Sequence, residues 1–231
     1  LFRSGPRGTR EMDANFAIAQ AAAAALAKRG ALPVLTRAGN EDEVGLAERP
    51  RLAVERKGDV FVSIHNNALP DGENPFARPR GFSVFYYHPH SLALAGAMYR
   101  SFEERWSLPG EELRYGNLLV ARLSAMPAIL LETAYMIVPS QEELLSNPAA
   151  RGRLAEALTA GLESFLSAER AKQKPPAPAA KKTVRPAAPA AKKPAAAAKK
   201  PAAKSMKKPR PPAAKKAPKP SALDELLEPA R

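Results

Sequence analysis

Three ionisable side chains stand at the margins of apolar runs, and their types suit metal-assisted hydrolysis. His65 closes the run at residues 60–64 and is followed by Asn66 and Asn67. Glu132 follows "AILL" at 128–131, beside Thr133 and Ala134. Glu11 opens the stretch "TREMDANFAIA" at 9–19. A carboxylate placed directly after four apolar residues is costly to bury unless something pairs with it. Taken alone, Glu11 reads as a first-turn acid favoured by the helix dipole, and His65 is as readily a hydrogen-bonded structural histidine as a ligand. Together the three supply one imidazole and two carboxylates from strand ends and a helix start. That is the material of a catalytic zinc site with its own general base.

Such a site needs a scaffold that brings strand ends together. Phe16, Ala19, Ala22, Ala23 and Leu26 recur at helical spacing, and Lys28, Arg29 and Gly30 stop that helix. "LPVLT" at 32–36 reads as a short strand, and a second helix breaks or begins near Pro50. Residues 60–64 and "GFSVFYY" at 81–87 read as further strands. Leu92, Ala95, Met98, Tyr99 and Phe102 mark a helix, residues 128–131 a strand, and Leu154, Leu158, Leu162 and Phe165 a closing helix over 151–167. Apolar strands between amphipathic helices predict an α/β domain over residues 1–170, with a central, mostly parallel or mixed sheet covered by helices on both faces. In such sheets ligands bind beyond the carboxyl ends of the strands, where His65 and Glu132 stand.

The net charge of +13 over 231 residues belongs to the end of the chain. Residues 172–220 hold sixteen of the 36 Lys and Arg and no acid, and 221–231 hold one Arg and three of the 23 acids, which leaves 19 basic and 20 acidic residues in 1–171. Residues 171–220 are nearly all Ala, Pro and Lys, too poor in apolar surface to offset the entropy of ordering, and are expected as a disordered basic tail. Residues 221–231, "SALDELLEPAR", form a short acidic amphipathic segment in which Ser221 could cap a brief helix. The chain has no cysteine, which excludes disulfides and thiolate metal sites. No run is long enough to span a bilayer.

On these residues the chain resembles the zinc-dependent N-acetylmuramoyl-L-alanine amidases that hydrolyse bacterial peptidoglycan. The resemblance runs from about residue 8 to 167. It rests on E-x-x-x-N-x-A-I-A at 11–19, "VLTR" at 34–37, L-x-x-R at 46–49, "VFVSIHNNA" at 60–68, "GFSVFYY", "MPAILLETAYM" at 126–136 and "SNPAARGRLAEALTAGLESFL" at 146–166. Carried over position by position, it implies Glu11 and His65 as zinc ligands and Glu132 as the general base. The bond cut would join N-acetylmuramic acid to the L-alanine of the stem peptide. Arg122, in "LLVAR", is expected as a substrate-positioning cation because it precedes the Glu132 strand; an ordinary surface arginine is the alternative.

The chain departs from that pattern in one respect. The family's first ligand, a histidine on the loop after its first strand, is expected upstream of Leu1, which makes this sequence an N-terminal truncation. His88 and His90, in "YYHPH", are a weaker source for a third ligand, since proline between them indicates a turn. The resemblance implies action in the periplasm or outside the cell, with peptidoglycan as partner. The tail's cations suit anionic envelope polymers or lipid head groups, which would tether the domain near its substrate. Nucleic acid is the less favoured rival partner: the folded part carries no excess positive charge, and although the tail's sixteen cations would neutralise phosphates, it has no aromatic residue for base stacking, so such binding would be blind to sequence. An alternative is a catalytically inactive peptidoglycan-binding module with a polycationic tether.

Overall fold

The computed structural model describes residues 4–40, 43–70 and 72–173. The tail expected beyond Gln173 and the segment at 221–231 lie outside the described residues. Helix α1 (Glu11–Ala27) is built from alanine and other strong helix formers and buries Ala14, Phe16, Ile18 and Ala22. Gly30, at φ +83°, closes the turns that follow it.

The strand expected at 32–36 does not form. Leu32 is 94% exposed and Val34 56% exposed, and the segment pairs with no strand among the described residues. An apolar, β-branched run becomes a strand only where a neighbour completes its ladder.

Helix α2 (Glu48–Glu55) carries Pro50 within its first turn, where the missing N–H costs no helical bond. Strands β1 (Phe61–Asn67) and β2 (Phe82–Tyr86) follow, then α3 (Leu92–Arg105), β3 (Gly110–Tyr115), β4 (Ala128–Tyr135), α4 (Pro139–Ser146) and α5 (Pro148–Gln173). The expected closing helix is thus longer than its apolar spacing indicated and crosses residue 170.

The sheet order is β1-β4-β2-β3. β1 runs parallel to β4, β2 antiparallel to β4, and β3 parallel to β2. The mixed α/β sheet expected from sequence is present. Alternate residues of each strand face opposite layers. Phe82, Val84, Ile129 and Leu131 point into a core shared with α1, α3 and α5. Phe61, Phe85, Ala128 and Leu130 point to a thinner second layer, closed by Leu118, Val120 and Ala121 with Leu46 and with Ala53 of α2. Trp106 follows α3, is buried, and donates its indole N–H to the carbonyl of Thr133 at 3.0 Å.

The segment leading into α1 is fastened from a distance. Glu142, in the first turn of α4 and 0% exposed, accepts the backbone N–H of Arg7 at 3.1 Å on Oε1 and 2.9 Å on Oε2, and that of Thr9 at 3.0 Å. Burial works against its ionisation. The amides of Arg7 and Thr9, the Thr9 hydroxyl and the Arg7 charge outweigh it and hold the carboxyl below its ordinary value.

Two outcomes follow from this packing. Leu131, fully buried at the centre of the sheet, should cost ~2–5 kcal/mol when cut to alanine, measured by urea unfolding. Because the folded carboxyl of Glu142 titrates below its unfolded one, its contribution to stability is complete above the ordinary value of 4.5 and is lost as pH falls through the lowered value. Thermal unfolding of Glu142→Gln should therefore lose less on acidification than that of the natural chain.

Candidate active site

β1 and β4 end together. Their parallel register sets His65 opposite Glu132, and the antiparallel β2 sets Ser83 on the other side of Glu132. Side-chain alternation puts His65 on the layer of Phe61 and Ser63, and Glu132 on the layer of Ala128 and Leu130. Glu132 is 1% exposed. Glu132 lies within β4 rather than after it, and its carboxylate is buried where an apolar residue would pack at less cost.

Glu11 reaches this place from the first turn of α1. Its Oε1 lies 3.2 Å from His65 Nδ1 and accepts the backbone N–H of Asn66 at 3.1 Å and the side-chain amide of Asn15 at 3.3 Å. Asn66 faces the opposite layer from His65. It donates its amide to Asn15 Oδ1 at 2.8 Å and accepts the hydroxyl of Thr133 at 2.6 Å. A chain of hydrogen bonds, buried at Thr133 and Asn66 and half-buried at Asn15 and Glu11, thus runs from the sheet to the start of α1, and every link is a side chain next to, or one helical turn from, a proposed working residue.

Burial alone would lower the basicity of His65. The bond to Glu11, the charge of Glu132 and the charge of Glu11 outweigh it and raise the imidazole above its ordinary value, while Arg49 opposes them. Sequence reading placed Arg49 in a family motif without giving it a role; its charge acts on the site. Two carboxylates that favour a positive imidazole form a pocket suited to positive charge. One imidazole and one carboxylate in contact are also donors of the type zinc takes. Among the described residues no group of three or more His, Cys, Asp or Glu side chains gathers closely enough to hold a metal. Glu11 and His65 fit such an ion in kind and are two of the three ligands that the resemblance implies.

The other candidates lie elsewhere. Arg122 ends the 3-10 turn at Leu119–Arg122, where its carbonyl receives a bond from His88 Nε2 at 2.8 Å. His88 lies beyond Tyr86, which pairs with Ile129, three residues before Glu132. At about 3.3 Å per strand residue, Arg122 sits at the opposite end of the sheet from Glu132. Arg122 precedes β4 and so lies toward its amino end, whereas Glu132 lies toward its carboxyl end. His88 and His90 stack at 5.3 Å at that same remote end.

The loop between β1 and β2 does join two strand ends at the site. It is held by Arg78 to Glu111 at 2.8 Å, by the amide of Gly81 to Glu111 at 2.7 Å, and by Gln141 to the carbonyl of Arg80 at 2.8 Å. Burial first, and then the charge of Glu111, push the Tyr135 hydroxyl up to about 12, against Arg80 and Arg78. That phenol is neutral at any physiological pH.

Comparison with known proteins points to one family. A family profile described as N-acetylmuramoyl-L-alanine amidase matches residues 3–164. The probable cell wall amidase LytH of Staphylococcus aureus is 32% identical over 143 residues, covering 62% of this chain. The chain spans only 45% of the length of that relative. The amidase AmiC2 of Nostoc punctiforme is 30% identical with a TM-score of 0.64, over 71% of this chain and 89% of that one. The catalytic domain of CwlV, an amidase from Bacillus (Paenibacillus) polymyxa var. colistinus, is 30% identical with a TM-score of 0.65, over 71% and 90%.

The chain of hydrogen bonds behind Glu11 can be tested without a substrate. Thr133→Val keeps the shape of the side chain and leaves Asn66 Oδ1 without its donor. Urea unfolding should register a loss of ~1–3 kcal/mol, and the Asn66 amide should exchange its hydrogen faster.

Proposed function

Since the chain belongs to the N-acetylmuramoyl-L-alanine amidase family, matched over residues 3–164, we propose that it hydrolyses the amide between N-acetylmuramic acid and the L-alanine of the peptidoglycan stem peptide. The observation that carries this reading is the convergence of Glu11, His65 and Glu132 at the ends of β1 and β4. Glu11 and His65 would hold zinc, together with the histidine that the resemblance puts upstream of Leu1. Bound there, zinc would supply Lewis acidity toward water and the scissile carbonyl.

Glu132 does the proton work. Buried in β4 opposite His65, its carboxylate would take a proton from the attacking water as general base. It would then pass that proton to the departing nitrogen of L-alanine, so the amine leaves neutral and the muramic acid lactyl group leaves as a carboxylic acid that gives up its own proton to solvent. Glu11 has a second duty. By tying His65 to Asn66 and Asn15, it fixes the imidazole ring relative to the Glu132 strand end.

The substrate belongs outside the cytoplasm, so we place the action of the chain in the periplasm or at the cell exterior. Among the described residues no helix is long and apolar enough to cross a membrane. The basic stretch at 172–220 would hold the domain near anionic envelope polymers or lipid head groups through salt-sensitive attraction.

The protein should be incubated with purified peptidoglycan and zinc and the products identified by mass spectrometry. Peptides with a free N-terminal L-alanine are expected. Glu132→Gln, which keeps the buried shape, should release them ~10²–10⁴-fold more slowly. Peptidoglycan that co-sediments with the protein yet stays intact would overturn the amidase reading in favour of a binding module.

A further inference from the structure

Residues 4–10 form a small closed loop. Ser4 and Arg10 make an antiparallel bridge, the N–H of Gly5 meets the carbonyl of Thr9 at 2.9 Å, and the N–H of Gly8 meets the carbonyl of Gly5 at 2.9 Å. Gly8 stands at φ +88°, a conformation that L side chains rarely adopt. The loop turns the amides of Arg7 and Thr9 inward, in the manner of the backbone nests that bind anions. The anion it holds is the chain's own Glu142, more than 130 residues later, with both carboxylate oxygens engaged.

The fit leaves little room for alternatives. A Cβ at Gly5 would lie 2.3 Å from Glu142 Cδ and 2.5 Å from Oε1. Thr9 adds a contact to Ser146 at 3.1 Å, and the Arg7 guanidinium pairs with Glu143 at 3.1 Å on the exposed side. Thr9 is two residues before Glu11. Helix α1 gains no side-chain cap from Arg10, whose guanidinium instead forks onto Asp13 at 2.7 and 2.9 Å. Where α1 begins, and therefore where its first-turn carboxylate points, is set by the loop that precedes it.

We propose that Glu142 is a positioning residue for the active site: as a built-in anion it locks the loop at residues 5–9, and through that loop it fixes the carboxylate of Glu11 against His65. The proposal rests on Glu11 and His65 being zinc ligands. Glu142 itself touches neither of them. It acts as second-layer groups do around metal sites, by removing the freedom of a ligand before the ion arrives. Glutamine at this position keeps the shape of the side chain but removes its charge and sets an N–H donor in place of one acceptor oxygen, as at the 2.9 Å contact of Oε2 with the Arg7 amide, so the anionic anchor of the loop is lost.

Zinc affinity, measured on the whole protein by competition with a chromophoric chelator well below the unfolding temperature, tests this directly. Glu142→Gln should bind zinc ~10-fold or more weakly, and its Arg7 and Thr9 amides should exchange hydrogen faster. A purely stabilising role would leave the affinity of the folded variant unchanged. Zinc binding within about two-fold of the natural protein, despite fast exchange of those amides, would overturn the proposal. Should Glu142→Gln fail to fold, Gly5→Ala asks the same question by expelling the carboxylate while keeping its charge, with the same two outcomes. Glu11→Gln is measured alongside. If the natural protein binds zinc no more tightly than Glu11→Gln, the zinc reading falls and takes the role of Glu142 with it. If only Glu142→Gln and Gly5→Ala match the natural protein, the zinc reading stands and Glu142 is structural.

Discussion

A single carboxylate oxygen joins the two halves of the site. Oε1 of Glu11 meets the His65 ring, the Asn66 backbone amide and the Asn15 side chain within 3.1–3.3 Å. One partner lies on its own helix and two lie on the end of β1, so this oxygen fixes the start of α1 to the sheet. Buried charge is expensive, and satisfying it from several donors restricts both elements to one relative placement. Most of the polar architecture around the site serves that placement. Asn66 and Thr133 stand behind the oxygen, and the closed loop at 4–10 feeds the helix in at the required height.

The direction of the strands decides what else can reach this point. In an all-parallel sheet the residues after β2 would flank Glu132. Because β2 runs against β4, it is the residues before β2 that do so, and Arg78, Arg80 and Gly81 lie there. Tyr86 and His88 are carried to the other end, beside Arg122. Alternation along β4 then divides labour between layers, with Glu132 on the thin layer and Thr133 on the layer of the three long helices.

Much of this was legible in the sequence, for particular reasons. The helices at 11–27 and 92–105 and the strands at 61–67 and 128–135 announce themselves through periodic or continuous apolar residues. Glu11, His65 and Glu132 stand out as ionisable groups at the ends of such runs. β3 escaped because "GEELRY" is a polar edge strand with no fully buried residue, and residues 32–36 misled because apolar composition does not supply a partner. Arg122 is expected near Glu132 because it precedes that strand, but a residue before a strand lies at its amino end, away from a side chain toward its carboxyl end. Glu142 was hidden for another reason: its partners are backbone amides, which no residue letter records. The only sequence trace of that contact is two glycines in "GPRG" and an acid in the first turn of a distant helix.

The lone tryptophan of the chain gives this architecture an optical address. Trp106 is buried with its indole N–H on the carbonyl of Thr133, the residue after Glu132. With no second indole in the sequence, emission excited selectively at tryptophan comes from one place, the back of the strand end that carries the buried carboxylate. Changes in that strand end therefore alter the colour and lifetime of a signal already present in the protein, without a label.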